Sequence, residues 1–60
     1  MTQYQMGVLV MDSLEQLGVS YLAIGRAIDI KRLEKSYNLI KENPNITKEE
    51  FLKEMQIEED

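Results

Sequence analysis

Acidic side chains near the end of the chain are the first candidates for chemistry. Glu50, Glu54 and Glu58 recur every four residues, which places them on one face of a helix. Three carboxylates on one face could bind a divalent cation, but no neighbouring loop supplies the carbonyl oxygens that complete a calcium site. The same spacing is typical of a solvated helix face, and we favour that interpretation. We therefore predict no metal and no cofactor.

The sequence offers little else for catalysis. It contains no histidine and no cysteine, so the commonest general base at neutral pH and the thiolate nucleophile are both missing. Ser13, Ser20 and Ser36 have no such base to activate a hydroxyl group. No glycine-rich loop of the kind that binds phosphate occurs. We predict a protein that is not an enzyme, takes no small-molecule substrate and acts by binding a macromolecule.

Size and composition limit how such a protein gains stability. Its 60 residues form one domain, and a chain this short buries only about 60% of its unfolded surface. Without cysteine, oligomerisation is the remaining way to add buried surface, which predicts a homodimer.

No segment approaches the run of roughly 20 apolar residues that spans a bilayer. Residues 1–11 also lack the basic flank of a signal peptide, so we expect a cytoplasmic protein without a membrane partner.

Helix start and stop signals divide the chain into short segments. Two capping-box patterns, a serine and an aspartate mark four helix N-termini, and Gly18 suits the position that follows a helix. The predicted N-caps are Thr2, Ser20, Asp29 and Thr47. These signals predict an all-α domain over residues 1–60, a compact bundle of about four short helices. The predicted helices span about 3–17, 21–28, 30–42 and 48–56.

The second and third predicted helices could instead be one. The apolar residues after position 29 lie on a different side of a continuous helix from those before it, with a phase difference of about 160°. This jump favours a break at Asp29. One long helix, apolar on two sides and covered by a partner, is the alternative.

The first predicted helix carries more apolar residues than one core-facing stripe needs. They spread over about 200° of the helix surface, about twice the width of an ordinary stripe. In one interpretation the other three helices wrap around it. In the other, which we favour, one side packs on its own domain and the other side on a second copy, with Gly7 allowing close approach. The predicted dimer or partner contacts are Tyr4, Met6, Gly7, Val10, Met11 and Leu14.

Residues 20–30, SYLAIGRAIDI, resemble the opening of the helix-turn-helix regulators of bacteria and phages. The resemblance implies that Ile24, Ile28 and Ile30 are buried between two helices. It places Gly25 where those helices cross and Asp29 at a turn position that often has a positive φ angle. It does not extend through the recognition helix, because Lys35 and Asn38 stand where the family has apolar residues. Residues 39–52 also resemble the first two helices of winged-helix regulators.

The distribution of charge leaves DNA binding open. The net charge is −4, which opposes binding to phosphate, but residues 26–41 hold five basic and two acidic side chains. Residues 42–60 hold seven acidic and two basic ones. The possible nucleic-acid contacts are Arg26, Lys31, Arg32 and Lys35.

Three functions follow from these observations, and the last of them is a purely structural oligomerisation segment. The first is a small regulator that binds another protein, as an adaptor or inhibitor, through the surplus apolar residues of the first helix and the acidic C-terminal residues. The second is a DNA-binding regulator with a reduced helix-turn-helix, in which Arg32 and Lys35 contact the duplex. We favour a protein partner over DNA, because the acidic balance weakens any attraction to phosphate.

Overall fold

A computed structural model describes residues 1–59, which form four helices and no strand. The helices are α1 (Gln3–Gln16), α2 (Tyr21–Ala27), α3 (Leu33–Glu42) and α4 (Lys48–Met55). The predicted all-α fold is therefore confirmed. Asp60, the last residue of the predicted domain, lies outside the described residues. Within residues 1–59, each helix is too short or too polar to cross a bilayer.

Local hydrogen bonds explain where three of the helices begin. The Thr2 hydroxyl accepts from the backbone N–H of Gln5, whose side chain accepts in turn from the backbone N–H of Thr2. Thr47 and Glu50 form the same reciprocal pair at the start of α4. The Ser20 hydroxyl accepts from the Ala23 N–H at the start of α2. These three predicted N-caps are confirmed, and each satisfies backbone donors that the helix itself leaves free.

The start of α3 differs from the prediction. The helix begins at Leu33 rather than Ile30, and Asp29 is not its N-cap. Instead, the Asp29 carboxylate accepts from the backbone N–H of Lys31, two residues ahead, at 2.9 Å. An aspartate bonded in this way stabilises a turn rather than a helix terminus. The predicted break between α2 and α3 is confirmed, but it spans residues 28–32.

Helix α1 packs chiefly against α3 and also contacts α2, while α3 packs against α4. The core between them holds Leu14 and Phe51, which are both fully buried. Ser36 is the buried polar residue there, and its hydroxyl donates to the Ala27 carbonyl oxygen at 2.9 Å. The other core residues are Val10, Val19, Ala23, Ile24, Ala27, Leu33, Met55 and Ile57.

Three details implied by the helix-turn-helix resemblance do not occur. Ile30 is 73% exposed rather than buried. Gly25 is exposed, and a methyl group added there would meet no atom within 4 Å, so no helix crosses closely at this position. Within residues 1–59, positive φ angles occur at Gly18 and Gln56 but not at Asp29. Ile24 is buried, as the resemblance implies.

Gly18 and Gly25 give a matched test of this backbone. Gly18 follows α1 with a φ of +82°, a conformation that costs other residues about 1–2 kcal/mol. Gly25 lies inside α2, where alanine is favoured over glycine by about 0.8–1 kcal/mol. We expect Gly18→Ala to lower the free energy of unfolding measured in urea and Gly25→Ala to raise it. A destabilising Gly25→Ala would indicate the close helix crossing that the structure lacks.

Candidate binding surfaces

The predicted contact residues of α1 fall into two groups. Val10 and Leu14 are 1% and 0% exposed, because the side of α1 that carries them faces the core. They therefore do not belong to a surface, and this part of the predicted interface is corrected. Met6 and Met11 are half-buried and pack against the core from its edge. Gly7 is half-buried, and Tyr4 is exposed.

Exposed and half-buried apolar side chains cluster at the N-terminal end of α1. Met1, Tyr4, Val8 and Leu9 line one shallow depression together with Gln5, and we call these four residues the α1 apolar surface. Tyr4 is 81% exposed, Met1 69% and Leu9 46%. Sequence reasoning missed Leu9, which lies outside the main apolar arc. The sequence signal that could have identified Leu9 as a surface contact is its position as an apolar residue on the polar side of an amphipathic helix.

Exposed apolar side chains also occur on and after α2. Tyr21 and Leu22 are exposed at the start of the helix, and Ile30 is exposed in the turn that precedes α3. The Tyr21 hydroxyl donates to the Glu15 carboxylate at 3.0 Å. This hydrogen bond, and next the negative charge of Glu15, raise the pKa of Tyr21 above its ordinary value. Tyr21 is therefore partly engaged within the domain, unlike Tyr4.

The basic residues separate into two places. Lys31, Arg32 and Lys35 are exposed at the N-terminal end of α3. Arg26 is half-buried on α2, and its Nη1 donates to the backbone carbonyl of Glu58 at 2.8 Å. Arg26 thus holds the C-terminal segment rather than extending the basic group. Sequence proximity alone did not reveal this bond, which joins residues 32 positions apart.

Acidic residues interrupt the basic face of α3. Lys31 and Lys35 line a shallow cleft together with Glu34 and Glu42, so its local charges balance. A second cleft, which we call the α3–α4 cleft, opens beyond the C-terminal end of α3. Its volume is about 700 Å³. Its lining residues are Leu39, Glu42, Asn43, Pro44, Asn45, Ile46, Glu50, Lys53 and Glu54.

The three carboxylates that sequence reasoning aligned are not equivalent. Glu50 and Glu54 line the α3–α4 cleft, while Glu58 follows the end of α4 and is not on that helix. Glu50 also caps α4 through its bond to Thr47. Within residues 1–59, histidine, cysteine and carboxylate side chains nowhere gather in threes around a point that could hold a metal ion.

Part of the acidic C-terminal segment is held against the rest of the fold. Ile57 is buried in the core. The Glu59 carboxylate accepts from the backbone N–H of Ser20 and forms an ion pair with the Lys48 Nζ at 2.7 Å. These bonds connect the segment to the start of α2 and to the start of α4. The hypothesis that the acidic C-terminus contacts a partner stays a prediction, but Glu59 already binds groups of its own domain.

The ion pair gives stability a defined pH dependence. The bond to Lys48, and next the Ser20 N–H, hold the pKa of Glu59 below its ordinary 4.5. The same bond raises the pKa of Lys48 above 10.5. The carboxylate therefore stabilises the fold above pH 4.5, and this contribution is lost as the pH falls through the lowered pKa. The Lys48 contribution is complete below pH 10.5 and is lost as the pH rises through the raised pKa.

We expect Glu59→Gln to lower the midpoint of urea unfolding at pH 7, because it removes the carboxylate that both partners bind. The difference from the unchanged protein should begin to shrink below pH 4.5, where the carboxylate of the unfolded chain takes up a proton, and should disappear once the pH has fallen through the lowered pKa of the folded state. Glu58→Gln is the matched control, since the exposed residue undergoes the same change of charge. Equal effects of the two variants at pH 7 would contradict a specific role for the Glu59 ion pair.

Three surfaces therefore remain candidates for binding: the α1 apolar surface, the charged outer face of α3 and the α3–α4 cleft. Comparisons with protein-family models, with curated proteins and with solved structures find no match to this chain. The candidate function consequently rests on the chemistry of these surfaces.

Proposed function

We propose that this protein is a small regulator, not an enzyme, which acts by binding another protein through the α1 apolar surface. The observation that supports this proposal is the exposure of Tyr4, Met1 and Leu9 at one end of a capped helix. Clustered apolar side chains of this kind mark interaction sites more often than single exposed ones do. Tyrosine is also enriched among the residues that contribute most to protein interfaces.

Contacts on both sides hold the helix that carries most of this surface. The capping box at Thr2 holds the first turn of α1, and Val10 and Leu14 fix the opposite side of the same helix in the core. A surface that is ordered before binding loses less conformational entropy when the partner docks. Its apolar side chains suit a protein partner better than the phosphate backbone of DNA, which is recognised by positive charge.

One candidate partner for this surface is a second copy of the chain, as in the predicted homodimer, and the other is a different protein. The predicted α1 homodimer would use Tyr4 and its exposed neighbours, with Met6, Gly7 and Met11 at the edge. Val10 and Leu14 would then support the surface from beneath, within the same protomer. Val10→Ala is consequently a stability variant and does not test the interface.

The test compares two exposed leucines. Leu9→Asp places a charge in the α1 apolar surface, whereas Leu22→Asp places the same charge on α2, where Leu22 is 56% exposed. For a self-association through α1, sedimentation equilibrium should show a dissociation constant at least about tenfold higher for Leu9→Asp, as expected when an interface anchor is lost. For a different partner, binding to the purified partner should show the same loss. Equal losses for Leu22→Asp would contradict the proposal.

DNA binding is the second candidate function, and the exposure of Lys31, Arg32 and Lys35 favours it. These side chains lie just before and within the first turn of α3, after the turn that follows α2. A recognition helix presents its N-terminal residues to the major groove in this way. Glu34 and Glu42 nearby reduce the positive charge of the face, which is why we rank this function second.

Fluorescence anisotropy with a random-sequence duplex at about 50 and 200 mM salt tests this function. Each phosphate contact adds about 0.9 to the slope of log affinity against log salt concentration. If DNA is bound through this face, Arg32→Glu with Lys35→Glu should abolish binding, and Lys53→Glu, a control in the α3–α4 cleft, should weaken it less. No binding of the unchanged protein at about 50 mM salt would exclude the function.

A further inference from the structure

The outer face of α3 carries opposite charges at its two ends. Lys35, Asn38 and Glu42 follow one another at intervals of three and four residues, which places them on one stripe of α3. Lys31 lies in the turn just before the helix, at the basic end of this stripe. All four are exposed, and the stripe lies opposite the buried Leu33. The basic end lies before and in the first turn of α3, and the acidic end lies at its last residue.

Such a stripe is complementary to itself. A two-fold axis that passes between Asn38 and Leu39, perpendicular to α3, would bring two copies of the helix together antiparallel. Lys35 and Glu42 lie 3.5 residues on either side of that point, or about 5 Å along the helix. Lys35 of each copy would therefore face Glu42 of the other. An interface around a two-fold axis uses the same patch on both copies, and a stripe with opposite ends meets that condition.

The α3–α4 cleft extends the same complementarity. In the antiparallel pair, the turn that precedes α3 lies over the cleft of the other copy. That turn presents the basic Lys31 and Arg32 beside the exposed Ile30. The cleft presents the acidic Glu42, Glu50 and Glu54, which outnumber its one basic residue, Lys53, together with the apolar Leu39 and Ile46. Its volume of about 700 Å³ leaves room for the side chains of such a turn.

From this geometry we infer that a second copy of the chain docks on the outer face of α3, antiparallel, with its basic turn over the α3–α4 cleft. This surface differs from the α1 apolar surface, because α3 turns its opposite face towards α1. The pairing therefore forms a homodimer that leaves the α1 apolar surface free for a partner. The inference is independent of the proposed function.

Ion pairs between exposed side chains contribute little individually. The dimer should consequently be weak and sensitive to salt, since exposed charges are screened over about 10 Å at 0.1 M salt. We expect the dissociation constant measured by sedimentation equilibrium to rise several-fold between about 20 and 500 mM salt.

Charge reversal at the two facing positions provides the decisive experiment. Lys35→Glu alone and Glu42→Lys alone each place like charges opposite one another twice, so each should raise the dissociation constant at least about tenfold at low salt. An equimolar mixture of the two variants forms both pairs with opposite charges, and it should associate as the unchanged protein does. The double variant should also associate with itself.

Controls separate this arrangement from a general effect of charge. Lys41→Glu reverses a charge on another side of α3, where Lys41 lies over the Tyr37 ring. Asp12→Lys reverses an exposed acidic residue of α1. Both should leave the low-salt dissociation constant within about twofold, as expected for charges outside an interface. Circular dichroism should show the same helix content in every variant.

Several results would overturn the inference. The unchanged protein could stay monomeric at millimolar concentration and low salt, or the mixture and the double variant could fail to regain association. A dimer lost in Leu9→Asp but retained in Lys35→Glu and Glu42→Lys would place the interface on α1. That last result would support the proposed function and exclude the α3 pairing. The experiment therefore distinguishes a failure of the α3 pairing from a failure of the proposed function.

Discussion

The core around Leu14 and Phe51 is the constraint on which the rest of the structure depends. Both side chains are fully buried, and Phe51 is the only phenylalanine in a chain of 60 residues. A domain this small has few large apolar side chains to remove from water, so each one that it buries matters more. One side of α1 therefore packs in the core. The apolar residues on its other side cannot reach this core, which is why Tyr4 and Leu9 remain exposed on the surface.

The C-terminal segment closes this small core. Gln56 adopts a left-handed conformation after α4, and the chain turns so that Ile57 joins the buried cluster. Glu59 then connects to Ser20 and Lys48, and Arg26 binds the carbonyl of Glu58. The bonds of Glu59 to Ser20 and of Glu58 to Arg26 join residues more than 30 positions apart, so tertiary contacts hold this segment in place. Acidic residues that look like an interaction tail thus serve the stability of the domain.

The remaining surfaces differ in the physical effect that would drive binding. The α1 apolar surface would gain from removing apolar area from water, an effect that salt does not weaken. The outer face of α3 would gain from charge pairing, which salt screens. The two surfaces lie on different helices, and α3 turns its charged face away from α1. One small domain can therefore pair with itself and still present an apolar surface to a partner.

Local interactions were predictable from the sequence, and the choice of which face is buried was not. The caps at Thr2, Ser20 and Thr47 connect residues three positions apart, so residue types and spacing are sufficient to find them. The break between α2 and α3 was also predictable, from the change in helical phase.

By contrast, α1 is apolar over more than half of its surface, and only packing against α3 decided that Val10 and Leu14 face inwards while Tyr4 faces out. Asp29 met the residue preference of an N-cap, yet its carboxylate stabilises a turn, because α3 begins four residues later. The positions of Ile30, Arg26 and Glu59 depend on tertiary contacts, which sequence spacing does not record.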